Sequence, residues 1–287
     1  MPIDLETDEG AFQVCSQLSL DLAYRRTSTE DLCIGIAGTY PGMRVRQIWP
    51  ASNGGWTAFT VQKAGHLIVV FRGTSGLEEL VQYPEKVVRG AREHRFHKEG
   101  WGVYSVWWET LAKVWTKDGV PQDGDSKTYL KMEVLDAFAF GDRVWFTGHS
   151  KGGAVAAVAA ALILFGDDGE ERMTDAEEID LSVITFNAPM SFSPLLAEEY
   201  DRRCAKQGVR HLRSEERADQ LHEFPWLGGF QHVGEQRSKG MNLMDKPSVR
   251  FAAVAGGALL TSVVASEIIG AHNAGKPKRV KKVSSRR

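Results

Sequence analysis

Asp142-Arg-Val-Trp-Phe-Thr-Gly148-His149-Ser150-Lys151-Gly152-Gly153-Ala-Val-Ala-Ala-Val-Ala159 is the stretch from which the fold is read. Val144 to Thr147 is β-branched and aromatic without a break, which predicts a short buried strand. Lys151 to Phe165 is too long for a strand and rich in alanine, which predicts a buried helix. Between them stands Gly148-His149-Ser150-Lys151-Gly152, a Gly-x-Ser-x-Gly pattern. A strand that turns at once into a helix strains the backbone at the central residue, and glycines two positions to either side let the elements pass closely. Ser150 is then lifted to the apex, with a helix N-terminus behind it whose N–H groups favour a developing negative charge. The pentapeptide alone also fits a Gly/Ser turn that merely caps a helix. The strand before it and the helix after it favour a nucleophile.

Working outward, Val45 to Trp49 reads as a strand, Asn53-Gly54-Gly55 as a turn, and Trp56 to Val61 with His66 to Phe71 as a hairpin around Lys63-Ala64-Gly65. The second hairpin strand runs into Gly73-Thr74-Ser75, which puts small hydroxyls and backbone N–H groups at a sheet edge. In a serine hydrolase an oxyanion hole is built there and at the residue after the nucleophile, Lys151. A simple β-turn at a strand end also fits residues 73–75. Ala11 to Tyr24, Tyr104 to Val114 and Thr128 to Phe138 have helical spacing of apolar residues. Leu77 to Arg95 is charged and broken by Pro84, a flap or a surface segment; Lys117 to Ser126 is a loop, and Gly166 to Asp180 an acidic solvated connection. Ser182 to Phe186, Ala197 to Lys206 and Val209 to Leu212 follow as strand, helix and strand. That alternation predicts an α/β fold, a parallel sheet with helices on both faces.

A serine nucleophile needs a histidine to take its proton and a carboxylate to orient that histidine. In a parallel sheet such groups sit on loops at the carboxyl ends of strands. Beyond Leu212 come Glu215, Glu216 and Asp219, all suitably placed. His222 is too close to Asp219 to belong to an independent loop, which leaves His232 and His272.

Val-Phe-Arg-Gly-Thr at 70–74, Thr-Gly-His-Ser-Lys-Gly-Gly-Ala at 147–154 and Thr-Phe-Asn-Ala-Pro at 185–189 together resemble the class 3 lipases, fungal-type triacylglycerol lipases and their bacterial relatives. Asp219-Gln-Leu-His-Glu-Phe-Pro225 followed by Gly229-Phe-Gln-His232-Val-Gly234 resembles that family's acid-bearing loop and the Gly-aromatic-x-His-x-Gly stretch after it. The likeness runs from about residue 11 to residue 236. It implies an α/β-hydrolase fold with a mostly parallel central sheet, Ser150 as nucleophile, Asp219 as acid, and Thr74 with the Lys151 N–H as oxyanion hole. The family's counterpart of His232 is structural, so the resemblance implies His272 as base. Position 151 is Lys where the family usually has Leu, Leu-Glu-Glu-Leu stands where it often has Asn-Trp, and no aromatic follows His272.

The implied activity is hydrolysis of carboxylic esters of lipids, of triacylglycerol lipase or phospholipase A type, with no metal or organic cofactor. The alternative is a catalytically silent α/β-hydrolase scaffold that binds lipid or a protein partner. Lys276 to Arg287 carries seven basic residues and no acid, so the formal charge of −2 hides −9 on the remainder. The expected division is a hydrolase domain at 1–275 and a basic tail at 276–287. Phe251 to Ile269 is almost wholly apolar and approaches the length of a membrane span, but Glu267 and its many Gly and Ala residues suit a packed soluble helix. A membrane-surface contact aided by the tail is a further expectation. No aromatic interleaving of the basic residues points to nucleic acid. Three widely spaced cysteines, Cys15, Cys33 and Cys204, argue against a disulfide framework. The acidic N-terminus lacks an apolar core, so a cytoplasmic location, or export without a cleavable signal, is expected.

Overall fold

The computed structural model describes residues 4–23, 28–51, 56–74, 93–96, 99–116, 129–166, 179–215 and 229–237. In chain order the elements are α1 (Asp8–Gln17), a π-helical turn (Leu18–Leu22), α2 (Thr29–Thr39), β1 (Arg44–Pro50), β2 (Trp56–Lys63), β3 (His66–Phe71), β4 (Glu93–Arg95), β5 (Gly102–Tyr104), α3 (Ser105–Trp115), α4 (Leu130–Ala139), β6 (Arg143–His149), α5 (Lys151–Phe165), β7 (Leu181–Phe186), α6 (Pro194–Lys206), β8 (Arg210–Ser214) and β9 (Glu235–Gln236). Seven strands form one sheet in the order β1-β2-β3-β6-β7-β8-β9, and β4 with β5 forms a separate pair. The β1-β2-β3 meander is antiparallel. From β3 onward every pairing within this sheet is parallel, while β4 and β5 pair antiparallel.

The period-two alternation of the strands decides which helices lie on which face. Leu67, Val69, Phe71, Val144, Phe146, Leu181 and Val183 pack with α3, α4, α5 and α6. Ile68, Val70, Trp145, Ile184 and Phe186 point the other way and pack with α1, the π-helical turn and α2. Both faces of the parallel strands are therefore covered, which is why their sequences are apolar throughout rather than alternating with polar residues. Helix α5 is buried from Gly152 to Phe165, on every side. Its alanines and glycines allow close approach, and it packs on β3, β6 and β7 while touching α3 and α6.

The helix starts are chemically marked. Thr7 caps α1 by accepting from the Gly10 N–H at 3.2 Å, and Ser28 caps α2 by accepting from Asp31 N–H at 3.1 Å. A cap of this kind stabilises a helix by about 1 kcal/mol. Helix α1 reaches the far edge of the sheet, where Asp8 pairs with Arg210 and Glu9 with Arg237. No described helix is long and apolar enough to cross a membrane. The turn expected at 53–55, the segment expected at 117–126, most of the acidic stretch after Gly166, the apolar run 251–269 and the basic tail all lie outside the described residues. So does the flap or surface segment expected at 77–95, except Glu93–Arg95, which form strand β4.

Candidate active site

Strand β6 delivers the chain to His149, and α5 begins at Lys151; Ser150 alone makes the turn. Its backbone takes φ 53° and ψ −128°. A positive φ costs an L-residue with a Cβ energy of order 1–3 kcal/mol and persists only where the surroundings enforce it. Among the described residues only Asn187 is a second non-glycine at positive φ, and it ends the neighbouring strand β7. The two strained residues thus sit at the carboxyl ends of adjacent parallel strands.

The enforcement is visible in the contacts. The Ser150 N–H donates to Phe186 O of β7 at 2.9 Å, while its carbonyl accepts from the N–H groups of Gly153 (2.9 Å) and Ala154 (3.2 Å). Both flanking glycines are obligatory on space alone. A Cβ on Gly148 would fall 2.7 Å from Gly153 N, and one on Gly152 would fall 2.8 Å from the carbonyl carbon of Phe71. The close pass of helix over strand that the pentapeptide requires is therefore present, with the exit of β3 as the third party. His149 is buried, and burial pulls its pKa down to about 4, so its ring is neutral near neutral pH.

Phe71 of β3 pairs with Gly148 of β6. Thr74 follows three residues on, half-buried at the same end of the sheet as Ser150. Lys151 is the first residue of α5, and the first-turn N–H groups carry the positive end of the helix dipole. No acidic residue offsets that charge within the first turn. A tetrahedral oxyanion formed at Ser150 would meet this field. Beyond β7, the fully buried Asn187 donates its N–H to Ser214 O at 2.8 Å, which fixes the end of β8 beside the end of β7.

Glu215 is the first residue after β8 and the one expected carboxylate that is described; Glu216, Asp219, His222 and His272 lie outside the described residues. Glu215 Oε1 is 2.6 Å from Arg213 Nε and 3.6 Å from His232 Nε2. Its Oε2 accepts from Gln236 Nε2 at 2.8 Å. His232 thus faces a carboxylate near the far edge of the sheet. His211, beneath it, is buried between Tyr200 Oη (3.1 Å) and Thr185 Oγ1 (3.4 Å), with its pKa depressed to about 3, chiefly by burial. No described group of three His, Cys, Asp or Glu side chains is placed to hold a metal ion. Asn187 stood in the sequence only as part of a motif, with no role of its own, and nothing there joined Glu215 to Arg213 and Gln236. An Asn directly after an apolar strand was the available signal for the first, since Asn tolerates positive φ.

A mostly parallel sheet flanked by helices, with a serine strained between strand and helix, defines an α/β-hydrolase. The family model for Lipase (class 3) matches residues 68–224, and the chain belongs to that family, a class of lipid-ester hydrolases. Comparison with curated protein sequences gives no match. Solved structures give the same fold. The lipase of Rhizopus microsporus var. chinensis aligns with a TM-score of 0.58 at 16% identity, over 82% of this chain and 75% of its own. The nonglycosylated LIP2 lipase of Yarrowia lipolytica aligns with a TM-score of 0.59 at 15% identity, over 82% and 80%. A triacylglycerol lipase described as having a serine protease triad at its catalytic centre aligns with a TM-score of 0.57 at 17% identity, over 81% and 80%.

Proposed function

We propose that the protein hydrolyses carboxylic esters of lipids through an acyl-enzyme on Ser150, with triacylglycerols or the acyl esters of phospholipids as substrates. The backbone of Ser150, at φ 53° and ψ −128° between β6 and α5, carries the reading. In this scheme Ser150 Oγ attacks the ester carbonyl carbon as His272 accepts its proton, and Asp219 holds the imidazole in the productive orientation. Thr74 and the Lys151 N–H stabilise the tetrahedral oxyanion. Collapse breaks the carbon–oxygen bond, and the imidazolium gives its proton to the departing alcohol. Water, deprotonated by the same imidazole, then attacks the acyl-enzyme and releases the fatty acid. The neighbour with a serine protease triad lends support by analogy of fold. Residues 276–287 fall outside the hydrolase unit in this reading, as a basic tail suited to anionic lipid surfaces.

A fluorophosphonate probe tests the assignment, because only an activated serine reacts at speed. Wild type is expected to label and turn over lipid esters, and S150A to do neither. Equal labelling of the two would overturn the nucleophile and favour a silent scaffold. H272A and H232A compared side by side decide the base: labelling is expected to fail in the first and to survive in the second.

A further inference from the structure

We propose that Glu215 is a positioning residue: bound by Arg213 and Gln236 and faced by His232, it ties together the two ends of the segment that carries Asp219. The inference rests on the reading of Asp219 as the acid. The chain leaves the sheet at Glu215 and is back beside it by Val233 to Arg237, and residues 216–228 run between.

The backbone ladder at this edge is short. β9 pairs with β8 only through Leu212 with Glu235 and Arg213 with Gln236, plus one bond from Arg237 N–H to Arg213 O at 2.8 Å. So few bonds define a register weakly. Side chains supply the remainder. Gln236 Nε2 donates to Glu215 Oε2 at 2.8 Å, and Arg213 Nε lies 2.6 Å from Glu215 Oε1. The same guanidinium donates from Nη1 to Val233 O at 3.3 Å, so one cation grips both the outgoing and the returning chain. Gly234 N–H donates to Asp201 Oδ1 of α6 at 2.9 Å, and a Cβ on Gly234 would meet the His211 ring. The return path is therefore pinned from below and clamped from the side.

The clamp is partly withdrawn from water: the Arg213, Glu215 and His232 side chains are 14%, 9% and 20% exposed. Removing the carboxylate from such a group leaves a half-buried guanidinium without its closest counter-charge, which strongly disfavours the same geometry. Arg213 would then turn toward Asp201 or solvent and release Val233. Only three residues lie between Glu215 and Asp219 in the sequence, so in this proposal a displaced segment end is felt at the acid. Misplacing a catalytic group by about 1 Å lowers the rate by on the order of 100-fold. Glu215 is expected to act on turnover, through Asp219, more than on substrate binding.

The test is a double-mutant cycle on the full chain: E215Q, D219N and E215Q/D219N, read as fluorophosphonate labelling rate and as kcat and KM on a short-chain ester. The expected result is a kcat loss of about 10-fold or more in E215Q with KM little changed, and no further loss when E215Q is added to D219N, since groups acting as a unit are non-additive. A fully additive loss in the double variant overturns the proposal while leaving the acid in place. A larger loss in E215Q than in D219N overturns it too, and makes Glu215 the acid. Wild-type labelling of D219N removes the acid assignment and this proposal with it. Should E215Q not fold, Q236A cuts only the tie from an exposed side chain. A kcat loss of a few-fold that vanishes in the D219N background supports the proposal, and no loss, or an additive one, overturns it.

Discussion

Placing a methyl group on Gly152 probes the construction of the turn at Ser150 directly. The Cβ of G152A would fall 2.8 Å from the carbonyl carbon of Phe71 and 2.9 Å from that of Arg72, and closer still to Phe71 O. These are backbone atoms, and Phe71 ends a strand paired on both sides, so no side-chain rotation relieves the clash. Ordinary contact begins at 3.4 Å, so the start of α5 and the exit of β3 must separate by on the order of 1 Å. Overpacking of this kind costs about 3 kcal/mol at the upper end, and the better helix propensity of Ala returns about 1 kcal/mol. The net loss of about 2 kcal/mol corresponds to a fall in Tm of about 4–8 °C for a domain of this size. The same separation moves the Lys151 amide away from Thr74, and a displacement of that size is worth on the order of 100-fold in rate. G38A is the control, since that glycine of α2 has nothing within 4 Å of its would-be Cβ. It should match or slightly exceed wild-type Tm and label normally. A G152A protein with wild-type Tm and labelling rate would refute the claim that helix and strand are in enforced contact behind Ser150.

S150G should release the strain of a non-glycine at φ 53° and raise Tm by a few degrees, about 1 kcal/mol, while abolishing labelling; a lower Tm than S150A would contradict the strain argument. The two buried histidines predict an acid limb of stability. Their folded pKa values, about 4 for His149 and about 3 for His211, lie below the ordinary 6.5, so the unfolded chain binds their protons first. Their stabilisation is complete above pH 6.5 and is lost as pH falls through the folded values, each histidine contributing a slope of about 1.4 kcal/mol per pH unit. Urea denaturation of wild type and H149Q between pH 7 and pH 5 should show a shallower slope in the variant; equal slopes would mean that His149 is not buried in its neutral form. Glu133 gives the opposite sign. Burial raises its pKa despite the Thr60 hydroxyl at 2.9 Å and Arg46 at 3.2 Å, so its contribution is present at low pH and lost as pH rises through the folded value. E133Q should gain stability relative to wild type between pH 4.5 and pH 7, and a relative loss over that interval would exclude a desolvated carboxyl.

What was legible in the sequence was what is periodic and long. The Ala/Val/Leu run from Lys151 and the apolar hairpin strands came out within a residue or two of the observed elements, because a chain buried on every side tolerates no polar interruption. Helix α2 escaped notice although Ser28 and Asp31 mark its start, since its mixed Gly, Thr and Cys content weakens the apolar stripe. Helix α6 starts three residues before the apolar pattern suggests, at Pro194, where a fixed φ suits the first helical position. β5 and β9 have three and two residues, too few to carry a period; they exist because neighbours hold them. The same distinction runs through the site. Ser150 and its glycines announced themselves because the constraint is local, whereas the Glu215 clamp joins residues far apart in sequence, and no spacing rule encodes it.

The two strained residues also mark where neighbouring strand ends are joined. Asn187 adopts φ 46°, and its N–H donates to Ser214 O, holding the end of β8 against β7. Ser150 adopts φ 53°, and its N–H donates to Phe186 O, the residue before Asn187. Each strand end is thus fastened to the next by a backbone bond at the residue where the chain turns away, β6 to β7 and β7 to β8. These bonds continue the parallel ladder, and the disfavoured φ beyond each N–H, of order 1–3 kcal/mol, is sustained by the packing that receives the departing chain. The row of fastened ends places the end of β8, from which the chain runs toward Asp219, two strand spacings, about 10 Å, from the end of β6 at Ser150. If Ser150 and Asp219 act as proposed, relaxing Asn187 should loosen the β8 side of the site while leaving the turn at Ser150 in place. N187A is expected to lower the fluorophosphonate labelling rate while N187G, which tolerates the same φ, retains most of it; the reverse order would break the link between backbone conformation and the spacing of the site.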